Sequence, residues 1–242
     1  MTTIAQTVRE IALNQPSSIR VFERYGIDYC CGGRKALAEA CLATGVEVEA
    51  VIAALESAAR VSVPAAEDWQ QRSMEEITVH IVTTHHAYVR RELPRLALLA
   101  EKVVDRHGAA RAELPAIQAA LAQLDKELID HLAKEEAVLF PYIVQSERAS
   151  AKGAARPATC FDTVARPIAM MTQEHDAAGA LMATMRRLSS DFTAPEDACP
   201  TYRAFYDGLK EFEQDLHQHI HLENNILFPR ALQLESSADG PR

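Results

Sequence analysis

The chain has 242 residues, of which 48% are apolar and 24% are charged, and its formal net charge is −9 at pH 7. These proportions are ordinary for a folded globular protein. The negative charge argues against binding to nucleic acid, because that affinity depends on neutralising phosphates with lysine and arginine. The sequence contains no run of 18 or more apolar residues, so no membrane-spanning helix is predicted.

The N-terminal segment and the cysteines both predict a cytoplasmic protein. Arg9 and Glu10 interrupt the segment where a secretory signal would have a continuous apolar run. The five cysteines are odd in number and two of them are adjacent, which does not suit a disulfide framework. A reducing cytosol is therefore the expected setting.

The composition predicts an all-α fold. Glycine is scarce, with 9 residues, and aromatic residues make up only 6% of the chain. Long stretches such as residues 112–140 contain few β-branched residues and no alternation of apolar and polar side chains. Strands are therefore not expected.

Residues 1–62 are predicted to form a small helical domain. Pro16 stops a first helix, and Gly26 is a predicted C-cap of the second. A turn over residues 28–33, with the sequence Asp-Tyr-Cys-Cys-Gly-Gly, separates these from two further helices. Residues 63–73 are predicted to be a linker.

Residues 74–236 are predicted to form a four-helix bundle. Ser73 and Glu76 form a capping box that opens its first long helix. The other three helices are predicted over about residues 113–146, 162–190 and 200–235. Four long helices joined by loops of about ten residues are typical of an up-down bundle. The tail, residues 237–242, is expected to be disordered.

A repeat inside the predicted bundle identifies candidate metal ligands. The motif His-x-x-x-Glu-x-x-x-Leu-Phe-Pro occurs twice, beginning at His131 and at His219. A histidine in the preceding helix stands 45 residues before the first motif and 44 residues before the second. The six candidates are His86, His131, Glu135, His175, His219 and Glu223.

Helix geometry decides which of the neighbouring residues face the core. At about 100° per residue, His131 and Glu135 share the apolar face of their helix. Glu136 points away from that face, so Glu135 is favoured as the ligand. By the same calculation His217 and His221 are predicted to lie on the outer side of the last helix.

Four histidines and two glutamates in a bundle core need compensation, by a cation or by a dense hydrogen-bond network. Six nitrogen and oxygen ligands on four facing helices match a carboxylate-bridged dinuclear site, although other di-iron bundles use Glu-x-x-His. Imidazole with carboxylate suits iron or manganese better than structural zinc. The alternative is that each histidine is an ordinary core or surface residue, and the repeated spacing argues against it.

Two acids stand one turn before the two motifs, Glu127 and Asp215. They are predicted to orient ligands or to relay protons. The alternative is that they are solvated charges near a bundle end.

Cys30 and Cys31 are too strained as neighbours to form a disulfide with each other readily. They precede a predicted helix start, where the helix dipole, Arg34 and Lys35 are expected to lower the thiol pKa. One interpretation is a redox-active, iron-binding or partner-contacting pair. The other is a tight turn with one buried thiol.

The chain resembles the iron–sulfur cluster repair di-iron proteins of the YtfE/ScdA type, whose bundle is a hemerythrin-like domain. The matching motifs are Asp28 to Gly33, His86 followed by Leu93-Pro94, His131-x-x-x-Glu135, Glu174-His175-Asp176, and His219-x-x-x-Glu223-Asn224-Asn225. The resemblance implies two iron ions, each held by two histidines, with both glutamates and an oxo or hydroxo group as bridges. The sequence lacks the fifth histidine and the aspartate of oxygen-storing hemerythrins, so reversible oxygen carriage is not expected.

The resemblance further implies repair of iron–sulfur clusters damaged by nitrosative and oxidative stress, with damaged iron–sulfur proteins as partners. Nitric oxide or oxygen would be the small ligands. Two alternatives use the same ligands: reduction of nitric oxide to nitrous oxide, and non-catalytic binding and sensing of nitric oxide or oxygen. The sequence does not decide between a catalyst and a binding protein, or between a monomer and a dimer.

Overall fold

The computed structural model of the chain describes residues 3–60 and 69–238. Regular structure in these ranges is helical, apart from one isolated bridge between Thr7 and Ala36. The prediction of an all-α fold is confirmed. Most of the predicted linker, and the predicted tail from residue 239, lie outside the described residues. Among the helices that are described, none combines the length and the apolar character needed to cross a membrane.

The described residues before the predicted linker form four short helices. They are α1 (Val8–Asn14), α2 (Ser18–Tyr25), α3 (Leu37–Thr44) and α4 (Val48–Arg60). Thr7 and Glu10 form a capping box that starts α1. Gly26 ends α2 with φ of 64°, the left-handed conformation that suits glycine.

Ser73 and Glu76 form the expected capping box, which starts the first long helix of the bundle at Met74. This helix consists of α5 (Met74–His80), the π-helical segment π1 (Ile81–His86) and α6 (Ala87–His107). The second consists of α7 (Glu113–Lys134), π2 (Glu135–Leu139) and α8 (Phe140–Ala151). The third is α9 (Ala165–Leu188). The fourth consists of α10 (Pro200–His221), π3 (Leu222–Leu227) and α11 (Phe228–Ala238).

The three π-helical segments were not predicted, and they have a partial cause in the sequence. In π2 and π3 the closing hydrogen bonds run from Phe140 N–H to the Glu135 carbonyl and from Phe228 N–H to the Glu223 carbonyl, five residues apart. A proline follows each of these phenylalanines. Proline lacks an N–H and clashes with the carbonyl four residues before it, which disfavours a regular α-helix at this point.

The N-terminal helices pack directly on the bundle. Phe22, Tyr29 and Leu55 are fully buried, and their cluster is continuous with the apolar core between α6, α7 and α10. A second apolar cluster fills the end of the bundle formed by α5, α8 and α11. Each π-helical segment carries one of the predicted metal ligands into the bundle core: His86 in π1, Glu135 in π2 and Glu223 in π3.

We predict that Leu96→Ala, in α6, lowers the free energy of unfolding by about 2–5 kcal/mol, the usual cost of emptying a packed leucine site. Leu96 is fully buried against Gly208, where an added Cβ would lie 2.8 Å from Leu96 Cδ2. Leu98→Ala is the matched control, because Leu98 is 58% exposed, and it should change the value by no more than about 0.5 kcal/mol. Urea unfolding followed by circular dichroism measures both, and equal costs would contradict the described packing.

Candidate metal centre

The six predicted ligands converge on one place in the bundle core. Each is at most 2% exposed. The first helix contributes one histidine, the second a histidine and a glutamate, the third one histidine, and the fourth a histidine and a glutamate: His86, His131, Glu135, His175, His219 and Glu223.

The four imidazoles form two pairs, each across two helices. His86 Nε2 lies 3.2 Å from His219 Nε2, and His131 Nε2 lies 3.1 Å from His175 Nε2. Two nitrogen ligands, each about 2.1 Å from a metal ion and at right angles to each other, would be about 3 Å apart. Both pairs therefore have the spacing of two ligands on one ion.

The glutamates connect the two pairs. Glu135 Oε2 lies 3.4 Å from the Nε2 atoms of both His86 and His131. Glu223 places Oε1 3.0 Å from His219 Nε2 and Oε2 3.0 Å from His175 Nε2. Among the described residues, two groups could hold a metal ion, and both glutamates belong to both groups.

The charge balance of the site fits a cation. Burial, together with the neighbouring Glu223, raises the pKa of Glu135 well above its ordinary value. Neither Glu135 carboxylate oxygen has a hydrogen-bond partner within the described part of the chain. Burial also lowers the pKa values of His86 and His131 to about 4, which leaves neutral imidazoles whose lone pairs can bind a metal. Buried carboxylates without partners are costly unless a cation compensates them.

Three polar side chains orient the imidazoles from behind. The Nδ1 atoms lie 2.6 Å from Glu136 Oε1 for His86, 2.8 Å from Glu174 Oε2 for His131, and 3.0 Å from Asn224 Oδ1 for His175. These oxygens only accept hydrogen bonds, so Nδ1 carries the proton and Nε2 presents its lone pair to the centre.

Helix geometry predicted that Glu136 points away from the site, but the structure places its carboxylate beside a ligand. It does point away from the ligand face, but towards the first helix, where Arg90 Nη1 donates to it at 2.8 Å and His86 Nδ1 reaches the same oxygen. The periodicity of its own helix could not identify Glu136 as part of the site, because Glu136 contacts the Nδ1 atom of His86, which lies on another helix. Glu174 was quoted only as part of a motif, and its carboxylate is held by both His131 and Lys134.

The prediction that His221 lies on the outer side is wrong. His221 is 5% exposed, because Tyr29, from the turn between α2 and α3, packs against that face of α10. The edge of its ring contacts Tyr29 at a centroid distance of 5.4 Å, and Asn225 Nδ2 lies 2.8 Å from its Nδ1. His217, on the same side, remains half-buried.

The two predicted acids, Glu127 and Asp215, lie outside the two groups of residues that could hold a metal ion. Glu127 is exposed, accepts a hydrogen bond from Gln123, and lines an open groove of about 440 Å³ that reaches His131 and His175 between α7 and α9. Asp215 Oδ1 lies 3.0 Å from His85 Nδ1. The buried His85 ring is parallel to that of His219 at 5.6 Å. Their proposed roles stay predictions.

The adjacent thiols lie apart from the metal ligands. Cys30 is buried and Cys31 is half-buried, with 3.8 Å between their sulfurs, and both line a groove of about 950 Å³ between the N-terminal helices and α9 and α10. The Asp28 carboxylate accepts from the backbone N–H groups of Cys30, Cys31 and Gly32.

The expectation of a lowered thiol pKa is wrong for Cys30. Its hydrogen bond with Cys31, its burial and the nearby Asp28 all raise the pKa of this thiol. The next helix begins only at Leu37, and Asp28 already binds the backbone donors that would have stabilised a thiolate. Cys30 therefore does not lie at the start of any helix that the structure describes.

We predict that Glu136→Ala weakens metal binding about 10- to 100-fold, the usual effect of removing an acceptor behind a histidine ligand. The reason is that His86 loses the carboxylate that fixes its tautomer. Metal competition against a chromophoric chelator measures the affinity. Glu101→Ala, which removes an exposed glutamate of α6, should bind metal as the parent does. Equal affinities for the parent and Glu136→Ala would contradict this assignment.

Metal affinity should rise with pH. In the metal-free protein the raised pKa of Glu135 keeps a proton on this carboxyl at pH values where an ordinary glutamate is ionised, and the metal must displace that proton. His86 and His131, with pKa values of about 4, do not compete in that range. Calorimetric titration in buffers of different ionisation enthalpy counts the protons released. A pH-independent affinity without proton release would refute the prediction, and Glu135→Gln should remove the Glu135 contribution.

Comparison with known proteins gives two family matches. Residues 77–231 match the family described as the hemerythrin HHE cation binding domain. Residues 4–59 match ScdA_N, which is described as a domain of unknown function. Between them these matches include all six predicted ligands and the Cys30–Cys31 turn.

Several curated proteins are similar along nearly the whole chain. The proteins named iron-sulfur cluster repair protein YtfE from Yersinia pseudotuberculosis serotype IB (strain PB1/+) and from Yersinia pestis (strain Pestoides F) are both 37% identical over 230 residues. The alignments cover 95% of this chain and 98% of each relative. The chain therefore belongs to the YtfE family of iron–sulfur cluster repair proteins, with a hemerythrin HHE cation binding domain behind an ScdA_N domain.

Proposed function

We propose that the centre binds two iron ions. His86 and His219 would hold one ion and His131 and His175 the other, with Glu135 and Glu223 bridging them. An oxo or hydroxo group would complete the bridge. The observation that supports this is the pair of buried four-residue groups that share both glutamates.

The donor set favours iron over structural zinc. It contains nitrogen and oxygen ligands and no thiolate, and imidazole with carboxylate suits iron or manganese better than a structural zinc site. Bound iron would supply redox chemistry and an exchangeable cation. The chain's own residues would orient the imidazoles through Glu136, Glu174 and Asn224, and the surrounding core leaves each ligand at most 2% exposed.

The function that the chain supports best is repair of iron–sulfur clusters damaged by nitrosative and oxidative stress. The supporting observation is the similarity, over 95% of the chain, to proteins named for iron–sulfur cluster repair, together with the presence of every predicted ligand in one buried site. Damaged iron–sulfur proteins would be the partners. The groove beside His131 and His175 gives one side of the centre access to the surface.

We predict that the iron-loaded protein restores activity to a [4Fe–4S] dehydratase inactivated by nitric oxide, and that Glu135→Leu loses most of this capacity. Leucine fills a similar volume but offers no oxygen to a cation, and it leaves Glu223 as the only shared carboxylate. Recovered dehydratase activity and bound iron are measured together. Glu101→Leu, at an exposed site, is the matched control.

Equal repair by the parent and Glu135→Leu would reject the metal centre as the agent of repair. Nitrous oxide is measured in the same reactions with an electron donor present. Its sustained production without cluster repair would favour nitric oxide reduction, and tight nitric oxide binding without either product would favour sensing.

A further inference from the structure

A backbone carbonyl of π3 is bound by the N-terminal domain. Pro229 has no N–H, so the carbonyl of Asn225, four residues earlier, lacks the partner that an α-helix would provide. Arg9 of α1 fills this position, because its Nη2 donates to the Asn225 carbonyl at 3.0 Å. The hydrogen bond joins residues 216 positions apart in the chain.

The Asn225 side chain makes a second connection between the same two parts. Its Nδ2 donates to the Tyr29 carbonyl at 3.0 Å and to His221 Nδ1 at 2.8 Å, which uses both amide hydrogens. Asn225 is buried. Tyr29 immediately precedes Cys30, so this contact ends in the turn that carries the two thiols.

The N-terminal side of these contacts is itself fixed. Arg9 N–H donates to the Gly33 carbonyl at 2.7 Å. A Cβ at Gly33 would lie 2.6 Å from the Tyr29 carbonyl oxygen and 3.2 Å from Arg9 Cβ, so only glycine allows this approach. Arg9, Tyr29, Gly33 and Asn225 therefore form a closed set of contacts, which we call the interdomain clamp.

The internal repeat shows that the bundle alone does not require this arrangement. The second motif follows the first by 88 residues, so Glu223 corresponds to Glu135 and Asn224 to Glu136. Asn224 and Glu136 each lie beside the Nδ1 atom of a histidine ligand. Asn225 corresponds to Ala137, which is exposed. Asn225 thus occurs in the second motif, which the N-terminal domain contacts. Ala137, which has no polar side-chain atoms, occurs in the first motif, where this position is exposed.

We propose that Arg9 and Asn225 are positioning residues, through which the N-terminal domain fixes the position of π3 and keeps Glu223 between His175 and His219. Glu223 and Asn225 lie in the same π-helical segment. A shift or loosening of π3 would therefore move the Glu223 carboxylate relative to His175 on α9. The part of this proposal that concerns metal binding rests on the proposed di-iron centre. The part that concerns the interdomain clamp does not.

The test uses the full-length protein with Arg9→Gln, Asn225→Ala and the control Arg20→Gln. Arg20 is an exposed arginine of α2 in the same domain, so its substitution removes the same charge away from π3. In metal-free protein, hydrogen exchange of the amides at 222–227 should be faster in Arg9→Gln and Asn225→Ala than in the parent and Arg20→Gln. In iron-loaded protein, both variants should lose iron to a ferrous chelator about 10-fold faster and show an altered visible spectrum.

Unchanged exchange at 222–227 in a folded Arg9→Gln protein would overturn the proposal, and so would equal effects of Arg9→Gln and Arg20→Gln. Arg9→Gln lies outside the bundle, so it carries the test even where Asn225→Ala impairs folding. Faster exchange with an unchanged rate of iron loss would also overturn it, because Glu223 would then be held independently of the clamp. A parent protein that retains no iron would instead reject the proposed di-iron centre, while the exchange measurement would still decide on the clamp.

Discussion

Two carboxylates lie among four imidazoles in the bundle core, and polar side chains behind three of these imidazoles support that arrangement. A buried ion pair is stable only when its remaining donors and acceptors are matched. Three of the four imidazoles meet this condition on their outer side through Glu136, Glu174 and Asn224. On the inner side both oxygens of Glu135 stay without a partner in the described chain, and this is the position that a cation would occupy.

Much of the metal site could be predicted from the sequence, because the same ligand motif occurs in both halves of the bundle. Nine histidines are present, and the repeated spacing selected the four that meet in the core. The capping box at Ser73 and the C-cap at Gly26 were likewise found, since each depends on a few adjacent residues. Local chemistry and a repeated motif are both visible in a single sequence.

The errors at Glu136 and His221 have a common cause, which is contact with a second element. Glu136 supports His86 from a neighbouring helix, and His221 is buried beneath a separate domain. Neither contact can be read from the periodicity of the helix that carries the residue. The π-helical segments add a second difficulty, because a uniform rotation of about 100° per residue no longer applies there. The Leu-Phe-Pro ends of both motifs were the available signal for two of these segments.

The contacts of Asn225 with Arg9 and Tyr29 also have a thermodynamic side. Linkage between two equilibria is reciprocal, so any free energy by which domain packing favours cation binding must return as stronger packing once the cation is bound. Occupancy of the bundle would then be felt at the Tyr29 carbonyl, one residue from Cys30. Under the proposed role of Asn225, that hydrogen bond would join the thiol turn and the Glu223 carboxylate in a single cooperative unit, although residues 28–33 and Glu223 are far apart in the sequence.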